Sequence, residues 1–220
     1  MTAMNFDLAR FNMIEQQIHT WEVLDRRVLD VLANTPRENF VPPQYRTLAF
    51  ADFNIPLGHG QTMMTPKVEG RVLQALDIKP TDRILEVGTG SGYLTACLAK
   101  LGQHVYSVEF FPELKQAAEE ALSAHGIRNV TLQVGDAATG WDRQAPYDVI
   151  VVTGSLPVLP AGFRESLAVG GRLFVIVGES PVMEALLITR ISENDWAQES
   201  LFEIDLPPLV NAPRPQQFSL

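Results

Sequence analysis

The sequence predicts an α/β protein: a Rossmann-like, doubly wound, mostly parallel sheet with an antiparallel edge pair and a helical N-terminal cap. Three observations predict it. From Arg83 onward, short apolar runs rich in Val and Ile alternate with helical patterns, as in a parallel sheet with crossover helices. Three glycines, Gly88, Gly90 and Gly92, fall between the first such run and the first such helix. Residues 1–78 instead carry helical spacing interrupted by prolines.

In that N-terminal segment, Leu8, Phe11, Ile14 and Ile18 recur at helical spacing, and so do Leu24, Val28, Val31 and Leu32. Asp25 is placed to cap the second helix, and Thr35-Pro36 stops it. Pro36 to Pro66 is irregular, with Pro42, Pro43, Pro56, Gly58 and Gly60. An irregular stretch of that length in a compact protein points to function. Thr65-Pro66 opens a third helix, with Thr as cap, Pro at the first helical position and a stripe of Val68, Val72, Leu73 and Leu76.

Residues 79–220 form the expected core, packed with the cap as one unit. Arg83–Gly88 reads as a strand, Ser91–Leu101 as a helix closed by Gly102, and His104–Glu109 as the second strand. Pro112–His125 is a helix with Pro near its start and Gly126 at its end. Val130–Gly135 and Tyr147–Thr153 are further strands. A short helix near Ala161–Leu167 leads through Gly170-Gly171 into the strand Arg172–Val177. Glu184–Ile191 and Ala197–Ile204 have no helix pattern between them and read as the antiparallel edge pair.

Composition excludes several classes of function. Of 220 residues, 46% are apolar and 20% charged, which is the composition of a folded domain. Seventeen basic against 26 acidic residues leave a net charge of −9, the wrong sign for a nucleic-acid binder that works by charge. Trp21, Trp141 and Trp196 are scattered and suggest no base-stacking platform. The single cysteine, Cys97, excludes an internal disulfide and a cysteine-only zinc site, and fits a reducing compartment. No run reaches the roughly 18 apolar residues of a membrane span. Met1–Arg10 lacks a basic patch followed by an apolar stretch. The expectation is a cytoplasmic protein with no metal, nucleic-acid or membrane partner; the sequence carries no signal for oligomeric state.

The chemistry lies in Glu86-Val87-Gly88-Thr89-Gly90-Ser91-Gly92, after the first strand and at the start of the first core helix. Glycines there let the backbone turn tightly and approach a ligand. The second strand ends in Glu109, where a carboxylate can accept both hydroxyl hydrogens of a ribose. The third ends in Gly135-Asp136-Ala137, which sets Asp136 to meet an adenine amino group. A dinucleotide site wants Gly-x-Gly-x-x-Gly, but Tyr93 stands at the sixth place. Glu86 would also repel a pyrophosphate laid on the helix N-terminus. S-adenosylmethionine carries no phosphate, and its ammonium and sulfonium welcome acids. Three acids at three strand ends therefore favour it as cofactor. The candidate binding set is Glu86, Gly88, Thr89, Gly90, Ser91, Gly92, Glu109, Phe110, Asp136, Ala137 and Thr153.

These motifs resemble those of the protein-L-isoaspartate O-methyltransferases, a family of class I methyltransferases, over nearly the whole chain. Thr35-Pro36-Arg37-Glu38-Asn39-Phe40-Val41-Pro42 resembles the family's Val-Pro-Arg-Glu-x-Phe-Val-Pro. Ile55–Thr62 resembles its loop before the third helix, and Leu206-Pro207-Pro208-Leu209-Val210 its closing segment. Glu86–Tyr93, Gly135-Asp136 and Tyr147–Thr153 match in order and spacing. The resemblance implies that Gln61, Thr62, Met63 and Met64 fold over S-adenosylmethionine and help form the acceptor pocket. It also implies that Gly88 and Gly90 line the methionine part, that Glu109 holds the ribose, and that Asp136 and Ala137 flank the adenine. The implied acceptor is the free carboxylate of an L-isoaspartyl residue in a damaged protein or peptide.

The chain departs from the family pattern at one informative place. Where the family reads Gly-Gln-Thr-Ile-Ser, with the Ser assigned as catalytic, this chain reads Gly60-Gln61-Thr62-Met63-Met64. Met64, at the Ser position, has no hydroxyl; Thr62 is the other catalytic candidate of the loop. A carboxylate acceptor, with a reference pKa near 4, is already ionised at neutral pH and needs no general base. A loop hydroxyl would act by orienting the acceptor or binding the cofactor, a contribution of about 0.5–3 kcal/mol. Met64 therefore leaves two further readings open: another, less polar or small acceptor, or a silent S-adenosylmethionine-binding protein. His59, between Gly58 and Gly60, reads as a loop residue in preference to a substrate ligand. Cys97 reads as a small core residue.

Overall fold

The computed structural model describes residues 5–215; residues 1–4 and 216–220, the outer ends of the two expected segments, lie outside the described residues. Helix α1 (Phe6–Met13) runs into a π-turn, Ile14–Ile18, and a 3₁₀ turn, His19–Trp21. Met13, Ile14 and Ile18 are buried, whereas Leu8 and Phe11 are more than half exposed. The expected stripe therefore fails in its first half: the wider π-turn shifts the helical phase and carries only its later members into the core. In α2 (Arg26–Ala33), Asp25 Oδ1 accepts the Arg27 N–H at 2.8 Å, the expected cap, and Val28 and Leu32 are buried. Leu24 precedes the cap and points to solvent. In α3 (Pro66–Leu76), Thr65 stands at the cap position, but its hydroxyl makes no capping bond and is buried without a partner.

Within the irregular stretch the chain forms a hairpin. β1 (Ile55–Gly58) pairs antiparallel with β2 (Gln61–Met63), in the register Ile55 opposite Met63 and Pro56 opposite Thr62. The turn places Gly58, His59 and Gly60 all at positive φ. Pro56, Gly58 and Gly60 within nine residues conceal so short a ladder from any alternation test.

The core follows as β3 (Arg83–Val87), α4 (Tyr93–Leu101), β4 (His104–Glu109), α5 (Pro112–Ala124), β5 (Val130–Val134), β6 (Tyr147–Leu156), α6 (Ala161–Glu165), β7 (Leu167–Glu179), β8 (Val182–Ser192) and β9 (Asp195–Ile204). The sheet order is β5-β4-β3-β6-β7-β8-β9. The first five are parallel neighbours, and β8 and β9 join antiparallel at the edge. Alternation along the strands sends Ile84, Val149, Val151, Phe174 and Ile176 to one face and Leu85, Ile150, Val152, Leu173 and Val175 to the other. The first face packs against Ile18, Leu32, Leu73 and Leu98 from the N-terminal helices and α4; Phe163 and Trp141 join the second cluster. The chain leaves β3 for β4 on one side and returns through β6 on the other. The winding reverses there, so a crevice opens at the carboxyl ends of β3 and β6. Among the described residues, no helix is long and apolar enough to cross a membrane.

Candidate active site

A cleft with about 660 Å³ of space between its walls, open solvent included, lies at that reversal. Its floor is Gly88 and Gly90. Gly88 has φ +94°, and a Cβ there would stand 2.3 Å from Thr153 Oγ1, so only glycine fits. Thr153 closes that contact by donating to the carbonyls of Val87 and Gly88, at 2.9 and 2.8 Å.

Glu109 forms one wall and is 5% exposed. Its Oε2 accepts the Gly90 N–H at 2.9 Å and its Oε1 the Phe111 N–H at 3.0 Å. Two backbone donors thus fix the carboxylate, while its remaining lone pairs can take two more hydrogen bonds. Phe110, Ala137 and Asp136 continue this wall. Asp136 is exposed; its Oδ1 accepts from Ala138 N–H and its Oδ2 from Asn211 Nδ2, at 3.1 and 2.8 Å. The Asn211 bond ties down the C-terminal segment, from which Leu206, Pro207, Leu209 and Val210 roof the cleft. Ser155 holds the same segment from β6, donating its hydroxyl to the Leu206 carbonyl at 2.7 Å and its N–H to Pro207.

The β1–β2 hairpin covers the other side. Gln61 and Thr62 line the cleft, and Met63 and Met64 line a smaller chamber that continues it behind Thr62, Gly88, Gly90 and Thr153. Thr89 and Ser91 line the same chamber. Thr62 Oγ1 is shielded from solvent and has no hydrogen-bond partner. His59 stands at the hairpin tip, stacked on Phe111 with centroids 4.3 Å apart and 15° between planes. Its Nε2 lies 3.7 Å from Glu113, so it belongs to the rim of the cleft and does not line it.

Two members of the expected cofactor set do not face the cleft. Gly92, at φ +80°, caps α4 and packs on α5: a Cβ there would meet that of Ala118 at 3.1 Å. Glu86 is fully buried on β3 and lines neither the cleft nor the smaller chamber. Its Oε2 accepts from Thr95 Oγ1 at 2.5 Å and Ser107 Oγ at 2.6 Å. Ser107 spends its hydrogen on Glu86, so Thr89 is the donor in the 2.6 Å Thr89–Ser107 bond. This hydroxyl chain braces the turn from beneath.

Burial without a cation pushes the Glu86 carboxyl from 4.5 up to about 8. The folded state thus binds a proton that the unfolded chain releases. The stabilisation is complete below about pH 4.5 and is lost as pH rises through 8. We expect wild type to lose about 2–3 kcal/mol relative to Glu86→Gln between pH 6 and pH 8. Urea titrations of both proteins at the two values check this; parallel pH profiles would refute it.

A different acid completes the cleft. Glu69 of α3, 2% exposed, lines the smaller chamber. Arg37, fully buried, donates to Glu69 Oε2 from Nη1, to the Met64 carbonyl from Nη2 and to the Ala49 carbonyl from Nε, the last two at 2.7 Å. Its guanidinium also stacks 4.9 Å from the Tyr93 ring centroid. Burial lifts the Glu69 carboxyl to about 7 against the pull of Arg37. No local pattern signals this pair, whose members lie 32 positions apart in the chain. Cys97 is fully buried and its thiol is pushed up to about 12, which makes it a core residue with no nucleophilic role. Among the described residues, no group of three or more His, Cys, Asp or Glu could hold a metal ion.

A reversing parallel sheet, a glycine turn after β3 and a pinned carboxylate at the end of β4 define an α/β methyltransferase. Comparison with known proteins narrows the class. The family model for Protein-L-isoaspartate(D-aspartate) O-methyltransferase matches residues 9–213, and the chain belongs to that family. A Protein-L-isoaspartate O-methyltransferase of Protochlamydia amoebophila is 39% identical over 201 residues, covering 90% of this chain and 95% of the relative. One from Aeropyrum pernix is 40% identical, covering 92% and 79%. The fold matches a putative member from Plasmodium falciparum, solved with S-adenosyl-L-homocysteine, at TM-score 0.78 and 21% identity over 94% of this chain and 99% of that one.

Proposed function

We propose that the chain transfers a methyl group from S-adenosylmethionine to the free carboxylate of L-isoaspartyl residues in damaged proteins or peptides. The observation that carries the proposal is the convergence on one cleft of Glu109, fixed by two amides with acceptor capacity to spare, and Thr62, a shielded hydroxyl with no partner. S-adenosylmethionine supplies a methyl already activated by its sulfonium. The protein's task is therefore proximity and alignment. Glu109 would hold the ribose hydroxyls, and Phe110, Asp136 and Ala137 the base. Gly88 and Gly90 would admit the amino-acid part close to the backbone. Gln61, Thr62, Met63 and Met64 would shield the reacting end from water. An ionised carboxylate needs no base, so the absence of a His or Lys from the lining suits this acceptor. We further propose that the reaction is cytoplasmic, which the single buried thiol suits.

Thr62 is assigned as the hydroxyl that orients the acceptor, in place of the one Met64 lacks. An unpaired buried hydroxyl costs about 1–3 kcal/mol, and a bound carboxylate would relieve it. The wild type is expected to methylate an isoaspartyl peptide and not its aspartyl twin. Thr62→Val should lower kcat/KM by roughly tenfold to a hundredfold, with Thr62→Ser close to wild type. Transfer of labelled methyl to the two peptides tests both statements. Activity only in Met64→Ser, or equal activity on both peptides, would overturn the acceptor assignment.

A further inference from the structure

Glu69 faces the ligand space without belonging to any cofactor motif. Its Oε2 is taken by Arg37, and among the described residues no hydrogen bond reaches its Oε1. A carboxylate buried to this extent demands compensation for its charge. Arg37 supplies one partner and also donates to the Met64 and Ala49 carbonyls. Glu69 lines the smaller chamber together with Gly88, Thr89 and Gly90 of the glycine turn. That chamber is continuous with the cleft, since Thr62, Gly88, Gly90 and Thr153 line both. The nucleoside wall, with Glu109 and Asp136, belongs to the larger space alone.

If the nucleoside lies along that wall, the amino-acid end of the same ligand extends towards Glu69. This end carries one ammonium and one carboxylate. A carboxylate at the chamber wall attracts the first and repels the second, and an ammonium beside it offsets the burial that disfavours its charge. We propose that Glu69 receives the α-ammonium of S-adenosylmethionine, with Arg37 as the residue that positions it. The inference rests on the reading of S-adenosylmethionine as methyl donor.

The test is equilibrium binding, measured by calorimetry, of S-adenosylhomocysteine and of its analogue with hydrogen in place of the amine. Wild type should prefer the amine-bearing ligand by at least about tenfold. Glu69→Gln should weaken that ligand by about ten- to a hundredfold and the analogue less than twofold, so that the preference disappears. If Glu69→Gln leaves Arg37 unpaired and does not fold, Arg37→Met/Glu69→Gln removes both charges and is read for the same ratio. Equal losses for the two ligands, no loss for either, or a wild type that binds both equally would overturn the assignment of Glu69. A wild type that binds neither ligand would instead overturn the methyl-donor reading and this inference with it.

Discussion

Arg37→Met is expected to lower the unfolding free energy by about 3–5 kcal/mol, the usual cost of leaving one partner of a buried ion pair behind. The substitution strands the Glu69 carboxylate, which is 2% exposed, and removes the donors to the Met64 and Ala49 carbonyls. These three groups come from α3, the chain leaving the hairpin and the turn after the 3₁₀ segment Pro43–Leu48. Arg37 therefore ties three separate stretches of the cap to one point. The double substitution Arg37→Met/Glu69→Met should be less destabilised than the sum of its parts, because an apolar pair leaves no charge unpaired. Urea unfolding of the four proteins measures this. Additive losses, or a loss below about 1 kcal/mol for Arg37→Met, would show that the pair does not hold the cap together.

Glu109→Ala is expected to weaken S-adenosylhomocysteine by at least about a hundredfold. Two contributions act together. The carboxylate's free lone pairs are lost to the ribose, each charged hydrogen bond being worth about 1.5–3 kcal/mol. The N–H groups of Gly90 and Phe111 also lose their acceptor, which loosens both the floor and the wall of the cleft. Glu109→Gln keeps one acceptor oxygen and the side-chain shape, and should fall between wild type and Glu109→Ala. Calorimetry at matched salt checks the series. An unchanged affinity in Glu109→Ala would remove Glu109 from the site.

The candidate site was legible in the sequence where a motif and a strand end coincide. Gly88, Gly90, Glu109, Asp136 and Thr153 sit at the carboxyl ends of strands whose alternation is plain, and all five line the cleft. Glu86 misled for an instructive reason. It precedes the glycines in sequence, but in a strand adjacent residues point to opposite faces, and its side chain turns into the core beneath the loop. Glu69 of α3 lines the smaller chamber in which Glu86 has no part. No strand end announces Glu69, because it comes from a helix that is distant in the chain and is brought to the site by packing. The hairpin was hidden by its own turn residues. The π-turn after α1 was hidden because a stripe at i, i+3 and i+4 assumes an unbroken helix.

The sequence by itself determined the parallel sheet, its edge pair, the position of the ligand crevice and the chemistry of a cationic nucleoside cofactor. Those properties follow from local periodicity and from residues a few positions apart, which any copy of the chain expresses in the same way. Only the tertiary structure decided which acids face the ligand, that Arg37 pins Glu69 and the Met64 carbonyl, and that Asn211 clasps Asp136 so that the C-terminal segment roofs the cleft. These contacts join residues far apart in the chain. Burial and chain reversal, which no local pattern encodes, decide their partners.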